Sequence, residues 1–188
     1  DVAGRYYLKD KLSYIGIPID LESVGYMPAP LGEKINIFVG IKSEYKAFKG
    51  TDRLLAAAQR VEAEMPDRCR VEVVENLPYK EYMRRLEDAD IVLDQLYSYT
   101  PATNALGAMA MGKVVVSGAE PVFYEFIGEH ALRPVVNVIP DDESIYQTIK
   151  GLVLDRERLT VLSAQGREFV EKHNSSKVVV QRYLKHVE

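Results

Sequence analysis

From Lys34 onward the chain alternates between short β-branched apolar runs and longer stretches of helical periodicity, and this constrains its fold more than any other feature. Residues 35–39 read as a strand that Gly40 ends. Thr51–Glu64 reads as a helix with Leu54, Leu55, Ala58 and Val61 on one face. The spacing then predicts strands at 70–74, Ile91–Leu93, 113–117 and 135–139. Helices are expected at Tyr79–Glu87, 101–111, 122–128, 141–153, 155–173 and 175–187. Pro101 at a first turn and Gly112 just past an end mark one helix, with Thr100 as its expected N-cap. Asp141 or Asp142 caps another. Strands separated by helices imply an α/β protein of three layers, α/β/α, around a mainly parallel sheet. Such sheets place ligands at the carboxyl ends of their strands, near the switch point in strand order.

Residues 1–33 differ in character. Tyr14 to Asp20 is an apolar run interrupted by Gly16 and Pro18, and Met27 to Gly32 reads as an extended linker. The expected organisation is therefore a linker and remnant of a preceding domain over 1–33 and one domain over 34–188. The chain opens on Asp1 in a polar segment and reads as beginning partway through a longer protein.

Composition narrows the function. The net charge of −4 argues against a nucleic-acid-binding surface, which requires a basic excess. The single cysteine, Cys69, cannot form an intrachain disulfide and reads as a small buried residue, and the chain reads as cytoplasmic. No apolar run approaches the ~18 residues of a membrane span. His130, His173 and His186 have no acidic or cysteine neighbours at metal-ligand spacing, so no metal is expected. The sequence offers no nucleophile signature, no G-x-G-x-x-G and no Walker motif, and the catalytic residues stay unassigned.

Three segments at the strand ends carry the candidate chemistry. The first, Gly40 to Asp52, holds Lys42, Lys46 and Lys49 before Gly50 and a helix N-terminus. It reads either as an anion-binding loop or as a solvated turn. The second, Asp94 to Lys113, runs from a buried strand through a Tyr-rich loop into a helix rich in Ala and Gly. Its first-turn N–H groups, from Thr100 to Asn104, suit a phosphate, while its small residues equally suit tight packing. The third, Gly118 to Glu125, places Glu120 and Glu125 either for sugar hydroxyls or as caps.

In this order, these segments resemble the C-terminal domain of GT-B glycosyltransferases of the group 1, or family 4, type, over about residues 14 to 188. The resemblance rests on Phe38-Val39-Gly40, Lys49-Gly50, Ala89-Asp90, and Gly107-Ala108-Met109-Ala110-Met111-Gly112 followed by Val114-Val115-Val116. Glu125 and the linker-like Ile17-Pro18-Ile19-Asp20 complete the set. It implies a Rossmann-like domain, one half of a GT-B fold, that binds a nucleotide-diphosphate sugar without a metal or other cofactor. It also implies an N-terminal acceptor-binding domain beyond this chain, with transfer in the cleft between the two. Cell-surface polysaccharide synthesis, and a full-length protein peripheral to the inner face of a membrane, are further expectations. The fragment alone is expected to be monomeric and inactive.

The resemblance implies roles for particular residues. Gly40, Lys42, Lys46, Lys49, Gly50, Thr100, Thr103 and Asn104 would hold the diphosphate. Asn76, Leu77 and Pro78 would line the base pocket through their backbone groups, with Asn104 and Gly107 beside the ribose, and Tyr99, Glu120 and Glu125 would face the sugar. The chain departs from the family where two glutamates are usual, carrying Tyr99 and Gly107 instead, and where an arginine is usual, carrying Ile41. These losses leave open a second reading, a non-catalytic nucleotide-binding module. A receiver domain is disfavoured because the first strand ends in Val39-Gly40 without an acidic cluster.

Overall fold

The computed structural model describes residues 13–30 and 32–187. Five parallel strands form one sheet in the order β2-β1-β3-β4-β5: β1 (Ile35–Ile41), β2 (Cys69–Glu75), β3 (Ile91–Leu93), β4 (Val114–Ser117) and β5 (Val136–Asn137). The strand order reverses between β1 and β3, which creates the switch point.

The alternation of side chains along β1 explains the layers. Ile35, Ile37, Val39 and Ile41 face one side of the sheet, where they join Leu54, Ala58 and Val61 of α2 (Thr51–Glu64) and Ile145, Ile149 and Leu152 of α6 (Asp142–Leu154). Phe38 faces the other side with Val92 and Val115. There it meets Leu106 and Met109 of α4 (Thr103–Ala110) and Phe169 and Val170 of α7 (Arg156–His173). Each such side chain withdrawn from water contributes about 1.5–3 kcal/mol. Burial on both faces is why the strands read as continuous apolar runs. The remaining helices are α1 (Lys46–Lys49), α3 (Tyr79–Glu87), α5 (Pro121–Ile127) and α8 (Ser176–Leu184).

All five expected strands form, although β5 is only two residues long. The Asp141 cap is present, its carboxylate accepting from Ser144 N at 2.7 Å. Two expectations are corrected. The loop after β1 is largely helical, a 3₁₀ turn at Ser43–Tyr45 running into α1. And α4 begins at Thr103 with Ala102 as its cap, so Thr100 does not cap it. Pro101 disfavours helical backbone at Thr100. Ser98 and Thr100 instead form a local turn, Ser98 Oγ donating to Thr100 O at 2.7 Å and accepting from Thr100 N at 3.3 Å.

Residues 1–12 and Leu31 of the expected linker lie outside the described residues. The rest of it lies against the body. Ile19 N donates to Asn174 O, Met27 N to Met111 O and Ala29 N to Gly112 O, at 2.7, 2.9 and 3.0 Å. Lys113, with no exposed surface, donates to the carbonyls of Met27 and Glu87, so its ammonium ties this segment to the end of α3.

A second polar tie lies under α7. Glu129 is 1% exposed and accepts from Ala131 N, Leu132 N, Lys172 Nζ and the His173 ring. Arg182 of α8 can only donate, so it fixes His173 Nδ1 as acceptor and leaves Nε2–H for Glu129. Burial pushes the Glu129 carboxyl up, but the donors from Lys172, His173 and the two amides together hold it well below the usual carboxylate range. Burial pushes the His173 ring below its ordinary value, against the pull of Glu129. A carboxylate with a depressed folded-state pKa adds stability that is complete above its unfolded pKa and fades as pH falls through the folded one. Glu129→Gln is therefore expected to cost about 3 kcal/mol at pH 7 and progressively less below pH ~4. Urea denaturation at pH 7 and pH 3 checks this, and an equal cost at both would contradict it.

Candidate functional site at the carboxyl edge of the sheet

The strands deliver the three candidate segments to one edge, where backbone bonds stitch them together. The loop after β3 crosses that edge. Leu96 N donates to Lys49 O at 2.7 Å, linking it to the end of α1, and Gly118 N donates to Gln95 O at 2.9 Å. Glu120 N donates to Tyr99 O at 3.0 Å. Ser98 packs so closely on Gly118 that a Cβ there would lie 1.8 Å from Ser98 O. Gly50 supplies the left-handed backbone, φ 66°, that turns α1 into α2 beneath Leu96 and Tyr97.

At the switch point a chain of polar side chains spans four elements. Tyr82 of α3 donates from its hydroxyl to Asn104 Oδ1 at 2.7 Å. Asn104 donates from Nδ2 to Asp94 Oδ1 at 3.0 Å. Lys49 Nζ stands 4.0 Å from the same Asp94 oxygen. Asp94 is the first residue after β3 and 3% exposed, and its Oδ2 is buried with no hydrogen-bond partner among the described residues. Burial pushes its carboxyl up, against the Asn104 hydrogen bond and the Lys49 charge. Burial likewise pushes the Tyr82 hydroxyl up to about 12, so it stays a donor.

Above this chain lies the N-terminus of α4. Its first intrahelical bond runs from Leu106 N to Ala102 O, so the N–H groups of Thr103, Asn104 and Ala105 have no acceptor within the helix. The cap residue offers no side-chain bond. A helix N-terminus carries partial positive charge, and Asp94 connects this one, through Asn104, to the Lys49 ammonium.

The other expected site residues are placed as follows. β1 runs on through Gly40 to the buried Ile41, so the glycine does not end the strand as expected, and the Tyr82 ring occupies the space beside it, 2.4 Å from where a Cβ would be. Lys42 and Lys46 are exposed on the 3₁₀ turn and α1. Asn76, at φ 54°, spends its side chain on Ser43, accepting from its N–H and donating to its hydroxyl, which ties the ends of β2 and β1 together. Leu77 packs against the core, and Pro78 precedes α3. Tyr99 and Thr103 are exposed at the rim, and Thr100 is half-buried. Gly107 lies mid-helix, where an added Cβ would meet nothing within 4 Å. Glu120 precedes α5 and accepts from Asn137 Nδ2 at 3.4 Å, and Glu125 is exposed on α5.

Sequence reasoning gave no role to Asp94 or Tyr82. A lone acid directly after an all-apolar strand was the available signal for Asp94. Nothing local marked Tyr82, which reaches Asn104 only through the fold. A separate cleft between α2 and α6 is lined by Asp52, Arg53, Arg60, Asp142 and Tyr146. Its arginines are already paired, Arg53 with Asp142 and Arg60 with Glu143. No group of three or more His, Cys, Asp or Glu among the described residues is placed to hold a metal. None of the helices described is long and apolar enough to cross a membrane.

Solved structures similar to this chain include glycosyltransferases. Sucrose-phosphate synthase from Thermosynechococcus elongatus superposes with a TM-score of 0.69 at 17% identity, covering 98% of this chain and 55% of the synthase. The C-terminal domain of a glycosyl transferase group 1 family protein, LpcC from Francisella tularensis, gives 0.58 at 19% identity, covering 82% and 97%. A mutant of TarM from S. aureus, in complex with Fondaparinux, alpha-GlcNAc-glycerol and UDP, gives 0.62 at 16% identity, covering 86% and 37%. The chain thus spans about half or less of the longer enzymes and nearly all of the isolated C-terminal domain. The likeness establishes the fold expected from the sequence, a Rossmann-like α/β domain with a parallel sheet, similar to the C-terminal domain of the group 1 protein. No family model matches the sequence, and no curated protein matches it.

The fit of Tyr82 against Gly40 is directly testable. Gly40→Ala is expected to destabilise the chain by about 1–3 kcal/mol through overpacking, and Tyr82→Leu in the same chain should recover most of that loss. Denaturant midpoints of the single and double variants check it. A Gly40→Ala chain as stable as the parent would contradict the packing.

Proposed function

We propose that this chain is the donor-binding half of a glycosyltransferase, and that its switch-point edge takes the diphosphate of a nucleotide sugar. The observation that carries the reading is that Lys49 and Asn104 meet on the same Asp94 oxygen, beside a helix start whose Thr103, Asn104 and Ala105 N–H groups have no acceptor within α4. A diphosphate there meets a cation, a helix N-terminus and oriented amides, and the same groups stabilise the charge on a departing nucleotide. No metal is required for this neutralisation. Lys42 and Lys46 add positive charge at the rim. Gly107 supports the reading because a mid-helix glycine costs roughly 0.5–1 kcal/mol, and no atom of the described residues lies within 4 Å of where its Cβ would be. It leaves room for a ligand beside α4.

In this account an acceptor-binding domain lies outside the chain, and transfer takes place between the two. The sugar contacts come from the rim residues Tyr99, Glu120 and Glu125. The base lies toward the turn at Asn76 to Pro78, where backbone groups serve because the Asn76 side chain is engaged with Ser43. Assembly of a cell-surface polysaccharide is the process the reading favours.

Tyr99 and Gly107, where the family carries carboxylates, favour a second reading, a binding module without transfer activity. A Cβ added at Gly107 meets nothing within 4 Å, so the substitution is open to test. A gain in nucleotide affinity in Gly107→Glu supports the donor site, and no gain favours the second reading.

The principal test is calorimetric titration with UDP, GDP and ADP. Saturable binding of one of them is expected, weakened more than about tenfold by Lys49→Ala, as loss of a charge-assisted contact implies. Equal affinity in the variant would remove Lys49 from the site.

A further inference from the structure

Asp94 is an anomaly in an anion site. A carboxylate beside the position of a diphosphate repels it, yet Asp94 stands at the centre of the polar chain at the switch point. Its surroundings resolve the conflict. The groups facing it are Lys49 at the end of α1, Asn104 on α4 and, through Asn104, Tyr82 on α3. The β4 side contributes the Val116 carbonyl, which accepts from Asp94 N at 3.1 Å. Lys49 is the only cation paired with it among the described residues, and only one of its oxygens is engaged. The Lys49 side chain keeps 35% of its surface exposed and can turn outward, whereas Asp94 at 2% cannot follow.

We propose that a diphosphate breaks the Asp94–Lys49 pair, so that ligand binding draws a proton from solvent onto Asp94. This deepens the donor-site reading and rests on it. In the free site Lys49 offsets the buried carboxylate. When a phosphate engages Lys49, Asp94 loses its counter-ion and gains an anionic neighbour, and both changes favour its neutral form. The proton settles on a carboxyl that burial already holds above its ordinary value. The neutral acid keeps its bond from Asn104 and no longer opposes the ligand. By linkage, the anion binds more tightly as pH falls toward the free-state pKa of Asp94, and the dependence vanishes below it.

The test uses UDP as probe on the whole chain. Calorimetry between pH 5 and 8, in buffers of different ionisation enthalpy, counts the protons taken up. Asp94→Asn keeps the shape and cannot titrate, and subtracting its uptake removes the titration of UDP itself. The wild type is expected to take up more protons than Asp94→Asn, and Asp94→Asn to bind roughly tenfold more tightly at pH 8. Equal uptake and the same pH slope in both proteins overturn the coupling while leaving the donor site standing. Failure of UDP, GDP and ADP alike to bind overturns the donor site and the coupling with it. Should Asp94→Asn not fold, the ligand-free pair is read by carboxyl ¹³C titration of the wild type and Lys49→Met. A higher Asp94 midpoint in the variant supports the pair, and an unchanged midpoint overturns it.

Discussion

A parallel sheet buried on both faces is the constraint from which the rest follows. With helices covering each side, β1, β3 and β4 pair in parallel at the centre of the sheet, and their apolar side chains form two cores. Polar chemistry is then confined to the strand ends. At the carboxyl end every connection must turn into a helix, and that brings helix N-termini, glycine turns and loop carbonyls together. The reversal between β1 and β3 falls there, and Asp94, almost fully buried, directly follows β3.

The site is held by the same bonds that hold the fold. Lys49 O, Gln95 O and Tyr99 O accept from neighbouring segments, so the loop after β3 has a fixed path over β4. Gly118 permits that crossing, since its Cα lies directly against Ser98. The chain from Tyr82 through Asn104 to Asp94 then sets where the Lys49 ammonium can rest. Rigid backbone places the amides of α4, and Lys49 adds one partly exposed, movable cation. This division suits a ligand that must enter and leave.

The strand–helix alternation was legible because the period of two and the period near 3.6 are properties of local sequence. Residues 35–39 and Ile91–Leu93 announced buried strands by composition alone, and Asp141 announced its cap. The start of α4 was misplaced because a proline at a first turn was read as a helix signal, whereas its effect on Thr100 and the Ser98 turn delay the helix to Thr103. The lysine loop was legible as positive charge, but its helical turns were not, since Ser43 to Lys49 buries no residue fully and so carries no amphipathic pattern. The Asn76 side chain serves the β1–β2 connection through Ser43, a contact between strand ends that local sequence does not mark. Asp94 and Tyr82 owe their roles to contacts between distant segments, which no local pattern records.

The central claim is that the ligand position lies between Lys49 and the N-terminus of α4. The most direct measurement is a UDP titration of the ¹⁵N-labelled chain followed by amide NMR. The account predicts that the largest shifts fall on Thr103, Asn104 and Ala105, with Lys49 and Gly50 following at the same saturation. Shifts concentrated instead on Arg53, Arg60 and Tyr146, in the cleft between α2 and α6, would contradict it.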